Sequence, residues 1–260
     1  MRSIFGAVLT CLLLTGCAGS EAPQAVSYPV PCTNPAESVP PATRIAACTQ
    51  LLDSKTLSAT EKSNALNDRG LAYLELGQED RADADFDEAI RLYPKNAPAY
   101  LSRGNAYSEQ GRHSRAIKNY DEAIRLDPEF ALAYHDRGLT YQEMGDLKRA
   151  LADFEKAGEL DPDNASTAND IAWILATAPD PALRNGSEAV KWANRAVSLG
   201  SDSDYYDTLA AAFAETGRYS DARLQEEYAI QKLSPEDTSA KRDAYQERLQ
   251  LYKQGKPYRS

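Results

Sequence analysis

HDRGLTYQEMG, residues 135–145, has the look of a site: a histidine, three charged side chains, a tyrosine and two glycines seven residues apart. Its reading decides the fold, because the same stretch is either a binding loop or one unit of an array. Thirty-four residues upstream stand Arg103, Gly104, Tyr107 and Gly111, and sixty-eight upstream stand Arg69, Gly70, Tyr73 and Gly77. Residues that recur in every unit are most simply scaffold. The stretch is therefore a brick, and a site is better sought where the period breaks.

Three segments align in full, 63–96, 97–130 and 131–164. Besides the glycines and tyrosines they share Ala82, Ala116 and Ala150, then Phe86, Tyr120 and Phe154, then Pro94, Pro128 and Pro162. A common period at so many positions marks an array of repeats. Each unit reads as two helices, turning at the second glycine and stopping at the proline, which cannot continue a helix. A mid-helix glycine costs about 1 kcal/mol relative to alanine, so it implies a second helix packed too close for a Cβ. The spacing resembles the tetratricopeptide repeat, which implies an all-α fold, a right-handed solenoid of stacked helix pairs. One such unit cannot bury its apolar face alone.

Two looser units follow. Residues 165–202 keep Ala172, Ala189 and Ala196 around an insertion at Pro179-Asp180-Pro181, and residues 203–236 return to register with Ala210, Phe213, Gly217, Ala222 and Ala229. The resemblance thus covers residues 63–236. Ser58-Ala59-Thr60-Glu61 fits a capping box opening the first repeat, behind a capping helix over 43–53 that with its linker makes up a block of 43–62. A second capping helix is expected over 237–254, started by Ser234-Pro235-Glu236-Asp237, with Tyr245, Leu249 and Tyr252 on one face. The tail 255–260 reads as loose.

The N-terminus reads as an address. An apolar run from Ile4 to Leu14 is too short to span a bilayer and fits a signal-peptide core. It ends in Leu14-Thr15-Gly16-Cys17, which resembles a bacterial lipobox. That resemblance implies cleavage after residue 16, lipidation of Cys17 and, with Ala18 following, an outer-membrane anchor facing the periplasm. Removing residues 1–16 takes away Arg2, so the formal charge goes from −10 to −10 − 1 = −11. Residues 17–42 are proline-rich and read as an extended tether. In an oxidising compartment the remaining pair, Cys32 and Cys48, favours a disulfide over two free thiols.

The charge balance argues against nucleic acid, whose phosphates need a basic surface. No HExxH, GxSxG, GxGxxG or P-loop pattern occurs, and His113 and His135 have no third ligand at metal spacing. Carboxylate pairs such as Asp87/Glu88 and Asp121/Glu122 recur with the repeat and read as solvated faces. No catalytic residue, cofactor or metal is expected. Arg69, Arg103 and Arg137 are expected to pair with repeat carboxylates such as Asp85 and Asp153.

The family resemblance implies a groove lined by the first helices, at positions two, five, nine, twelve and thirteen of each unit. Carried over, it places Asn67 and Leu71, Leu101 and Asn105, His135, Leu139 and Gln142, then Asn169 and Trp173 on that lining. Position six holds Asp68, Ser102 and Asp136, without the basic residues with which one subfamily clamps a carboxylate, so that ligand is not carried over. Trp173 stands where other units have Leu or Asn; it is either a binding hot spot or packed under the Pro179–Pro181 loop, the structural role being favoured. His135 has the same choice between groove contact and plain surface histidine, the second favoured.

The reading is a lipid-anchored periplasmic scaffold that holds envelope proteins or peptides, similar to bacterial repeat lipoproteins acting as adaptors. The alternatives are a pilotin-like assembly factor for a secretion or pilus system and, less favoured, a cell-wall hydrolase. Oligomeric state is not legible.

Overall fold

The computed structural model describes residues 39–260 together with Cys32. The expected signal peptide, Cys17 and the rest of the tether lie outside the described residues. Among the described residues there are twelve helices and no strands: α1 (Pro41–Leu52), α2 (Ala59–Glu75), α3 (Glu79–Leu92), α4 (Ala97–Glu109), α5 (His113–Leu126) and α6 (Ala131–Glu143). The rest are α7 (Leu147–Leu160), α8 (Ala165–Thr177), α9 (Gly186–Leu199), α10 (Ser203–Glu215), α11 (Tyr219–Lys232) and α12 (Ser239–Lys253). None is long and apolar enough to cross a membrane.

From α2 onward the helices form antiparallel pairs, and the first helices of successive pairs lie side by side, α2 against α4 and α8 against α10. The stack opens on the capping box: Ser58 Oγ accepts from the Glu61 amide at 3.2 Å, and the Ser58 amide donates to Glu61 Oε2 at 2.7 Å. In four of the five pairs the turn is closed by a left-handed glycine. Gly77, Gly111, Gly145 and Gly217 have φ between 67° and 79°, a region costly for residues with a Cβ. The next amide reaches back across the turn, Gln78 to Tyr73 O at 2.9 Å and Arg112 to Tyr107 O at 2.8 Å, which satisfies a terminal carbonyl.

The mid-helix glycines do what their spacing requires. A Cβ on Gly70, Gly104 or Gly138 would lie 2.6, 2.6 or 2.7 Å from a ring carbon of Phe86, Tyr120 or Phe154. Each of those rings comes from the second helix of the same unit and is buried. In the fifth unit Ala210 takes the glycine position and Glu226 the aromatic one, so a carboxylate fills that space instead. The second helices stop where the next proline forces its predecessor out of the helical region: Tyr93 and Asp127 have φ −137° and Asp161 φ −127°.

The arginine ladder pairs as expected. Arg69 holds Asp85 through two bonds of 2.7 Å, and Arg137 holds Asp153 likewise. Such two-pronged contacts join the helices of one pair with fixed geometry. Arg103 meets Asn119 at 2.9 Å, and its free arm reaches back to Asp87 of the preceding unit at 2.5 Å. Arg137 does the same with Asp121 at 2.5 Å, so the ladder also ties unit to unit.

Three expectations need correction. The front helix begins at Pro41, which suits a first helical turn because its missing N–H would have no partner there. The back helix starts at Ser239 rather than in 234–237. There the Ser234 amide donates to Asp237 Oδ2 at 2.6 Å in a turn, and Thr238 caps the helix through the Lys241 amide at 3.2 Å. Residues 255–260 are not loose: Gly255 (φ 70°) turns the chain back, and Tyr258, Arg259 and Ser260 all make contacts on the stack. Tyr245, Leu249 and Tyr252 do share the buried face of α12. At the front, Cys32 and Cys48 are joined in a disulfide with Cα atoms 4.8 Å apart, and Arg44 of α1 pairs with Glu75 of α2 at 2.5 Å.

Candidate functional site: the face of the first helices

Neighbouring first helices touch through polar side chains of adjacent units. Asn105 Nδ2 donates to Asp136 Oδ2 at 2.9 Å, Ser108 and Thr140 share a hydrogen bond of 2.9 Å, and His135 Nε2 meets Asp170 Oδ2 at 3.0 Å. These bonds floor two open cavities. One, of about 210 Å³, lies between α4 and α6 and is lined by Asn105, Ser108, Glu109, Tyr120, Asp136, Leu139, Thr140 and Glu143. The other, of about 320 Å³, lies between α8, α10 and α12, with Asn169, Asp170, Trp173, Asp207, Lys241 and Arg248 among its walls.

The structure thus brings Asn105 and Leu139 to one cavity and Asn169 and Trp173 to the other. Leu71 of α2 and Leu139 of α6 are exposed apolar side chains on the first helices. Leu101 is different: it is buried against Ala116, Tyr120 and Ala133 in the second unit's core. Its expected place on the groove lining is corrected to a core position. Asn67 is buried too, but its amide oxygen has no hydrogen-bond partner, and the same holds for the amide oxygens of Asn105, Gln142 and Asn169. A buried carbonyl oxygen without a partner costs about 1–3 kcal/mol; these four are closed off from solvent, so a ligand N–H would reach them only after the amide side chains turn outward.

His135 is neither a free groove contact nor a plain surface histidine. It sits half-buried between Asp136 and Asp170, with its ring 5.5 Å from that of Phe154. Burial pulls its pKa down, but the hydrogen bonds and charges of the two aspartates prevail and hold it at about 9. It is therefore a charged link between units three and four. On α2, burial pushes the Asp68 carboxyl up to about 6 against the pull of Asn67 and Arg44.

Trp173 packs on the core of the fourth and fifth units and meets the returning tail. Its ring lies 5.8 Å from Tyr258 of the returning tail and 5.5 Å from the Arg248 guanidinium. The loop around Pro179 is held by Arg184, which donates to Ala178 O at 2.8 Å and to Glu215 at 3.0 Å. Behind the second cavity, Arg248 Nε donates to buried Asp207 at 2.6 Å, while Glu226 stands 3.9 Å away. Burial and the Asp207 charge raise the Glu226 pKa far above the carboxylate range, so Glu226 is neutral at pH 7. Sequence periodicity gave no sign of these contacts by Arg248 and Tyr258. The one available signal was Glu226 itself, a carboxylate at a position that is aromatic in the aligned units. Among the described residues no group of carboxylates, histidines and cysteines forms a metal site.

Comparison with known proteins agrees with the helix pairs. Tetratricopeptide-repeat family models match residues 63–96 and 131–164, 86–118, and 104–145. No curated protein matches the sequence. Among solved structures, one from the functional characterisation of Pseudomonas aeruginosa pilF is 18% identical with a TM-score of 0.66, covering 80% of this chain and 89% of that one. YrrB, described as a TPR protein with an unusual peptide-binding site, is 18% identical with a TM-score of 0.58 over 74% of this chain and 95% of its own. A tetratricopeptide-repeat protein from Parabacteroides merdae is 18% identical, TM-score 0.58, over 83% and 81%. These likenesses concern the fold. Three matching family models, the helix pairs and the glycine–aromatic contacts agree that residues 63–164 are built of tetratricopeptide repeats.

Proposed function

We propose that this chain is a non-enzymatic scaffold, lipid-anchored through Cys17 at the periplasmic face of the outer membrane, which holds an extended segment of an envelope protein along its first helices. The observation that carries the binding part is the row of unpartnered amide oxygens on Asn67, Asn105, Gln142 and Asn169, one from each of four successive first helices. An extended peptide presents backbone N–H groups, which are the donors those oxygens lack. Exposed Leu71 and Leu139 offer apolar contacts along the same line. The peptide-binding site named for YrrB supports the reading by analogy. The lipobox and the Cys32–Cys48 pair support the location, since disulfides persist in oxidising compartments.

Two measurements test it. Labelling with a radioactive fatty acid should mark the wild type and not Cys17→Ser. Capture from envelope extract should retain a protein on the wild type and lose it on Asn105→Ala/Asn169→Ala, with melting unchanged. An unlabelled wild type would refute the anchor, and equal capture by both baits would refute the groove.

A further inference from the structure

Residues 256–260 are held on the stack in the way a bound peptide would be. After the turn at Gly255 the Tyr258 ring rests 5.8 Å from Trp173, and the Arg248 guanidinium lies 5.2 Å from the same tyrosine ring. Arg259 Nη2 pairs with Glu215 Oε2 at 2.7 Å. The Ser260 amide donates to the Thr177 carbonyl at 3.1 Å, and the Ser260 and Thr177 hydroxyls are 3.0 Å apart. An aromatic anchor, a charged anchor and a backbone hydrogen bond thus meet three groups on the first helices of units four and five. Trp173 stands at position nine of its unit, and Thr177 and Glu215 at position thirteen, which places all three on the proposed binding face.

The hold is light. Arg259 and Ser260 remain exposed, and Tyr258 is only half-buried. The 320 Å³ cavity begins at the same Trp173 and Arg248 and runs on past Asn169. Asp170, Asp204 and Asp207 line it beside Lys241 and Arg248. A segment displacing residues 256–260 could therefore continue into space that is already open.

We propose, building on the groove reading above, that residues 256–260 are an internal occupant of the binding face, and that their subsite takes a partner segment with an aromatic side chain followed by an arginine. Trp173 would stack on the aromatic ring, Glu215 would pair with the arginine, and the Thr177 carbonyl would accept a backbone N–H. The internal segment competes with such a partner, so affinity depends on its release.

The test uses the full chain in detergent and a fluorescent GKPYRS peptide, with a peptide carrying alanine for tyrosine and glutamate for arginine as control. Arg259→Glu, which breaks the partly buried pair with Glu215 and the contact with Ala176 O, and Tyr258→Ala/Arg259→Ala release the internal segment. Each should bind GKPYRS at least tenfold more tightly than wild type, without binding the control peptide. Adding Trp173→Ala to the released variant should abolish the gain. Equal affinity for wild type and both released variants, at unchanged melting, would overturn the proposal, as would equal binding of the control peptide. Cross-linking at the middle of the groove is independent of this subsite, so a partner still caught at Gln142 would show that only the internal-occupant idea had failed.

Discussion

His135 of the third unit lies 3.0 Å from Asp170 of the fourth and 3.4 Å from Asp136 of its own helix. One imidazolium therefore links two repeats across the face proposed to bind a partner.

The link makes stability depend on pH. The folded pKa of His135 is about 9, against 6.5 for the free side chain. A raised histidine pKa gives stability that is fully present below about pH 6.5 and lost as pH rises through about 9. Urea titrations from pH 6 to 9.5 should show the wild type losing about 1–3 kcal/mol more than His135→Gln. Parallel curves for the two proteins would mean that His135 is not charged in the fold.

The glycine under each aromatic ring sets a steric test. A Cβ at Gly138 would come 2.7 Å from Phe154 Cε1. Helix propensity favours alanine there by about 1 kcal/mol, but the ring is walled in by the core and cannot give way cheaply. Gly138→Ala should therefore destabilise by about 1–2 kcal/mol and Gly138→Leu by about 1–3 kcal/mol or more. Phe154→Leu should relieve part of the alanine cost in a double-mutant cycle. An unchanged melting temperature for Gly138→Leu would contradict the helix-pair packing.

The buried charges behind the second cavity should respond unequally. Arg248 balances Asp207, with Glu226 neutral beside them. Glu226→Gln at pH 7 keeps the shape and charge, and should change stability by less than about 1 kcal/mol. Arg248→Met strands the Asp207 charge and should cost about 3–5 kcal/mol. Thermal or urea unfolding checks both, and a large loss for Glu226→Gln would mean that Glu226 is ionised.

The repeat made most of the fold legible because its determinants are local and recur. Gly138, Phe154 and Pro162 each solve one packing problem, and copies 34 residues away confirm the solution. Arg137 with Asp153 was readable for the same reason. The site was less legible because its contacts depend on which copy is present. Leu101 occupies a position that is Asn or His in neighbouring units, and its apolar side chain turns into the core where theirs stay polar. The contact of Tyr258 with Trp173 joins residues far apart in sequence, and neither belongs to a repeated pair. Residues 255–260 looked loose because their composition is polar, whereas three specific partners fix them.

The central claim is that a partner lies along the first helices. The most direct measurement places a photo-cross-linking amino acid at Gln142, on that face, and in separate cells at exposed Lys118 of α5, a second helix. The account predicts a discrete adduct in intact cells from position 142 and none from position 118. Adducts from 118 with none from 142 would put the partner on the opposite face and contradict it.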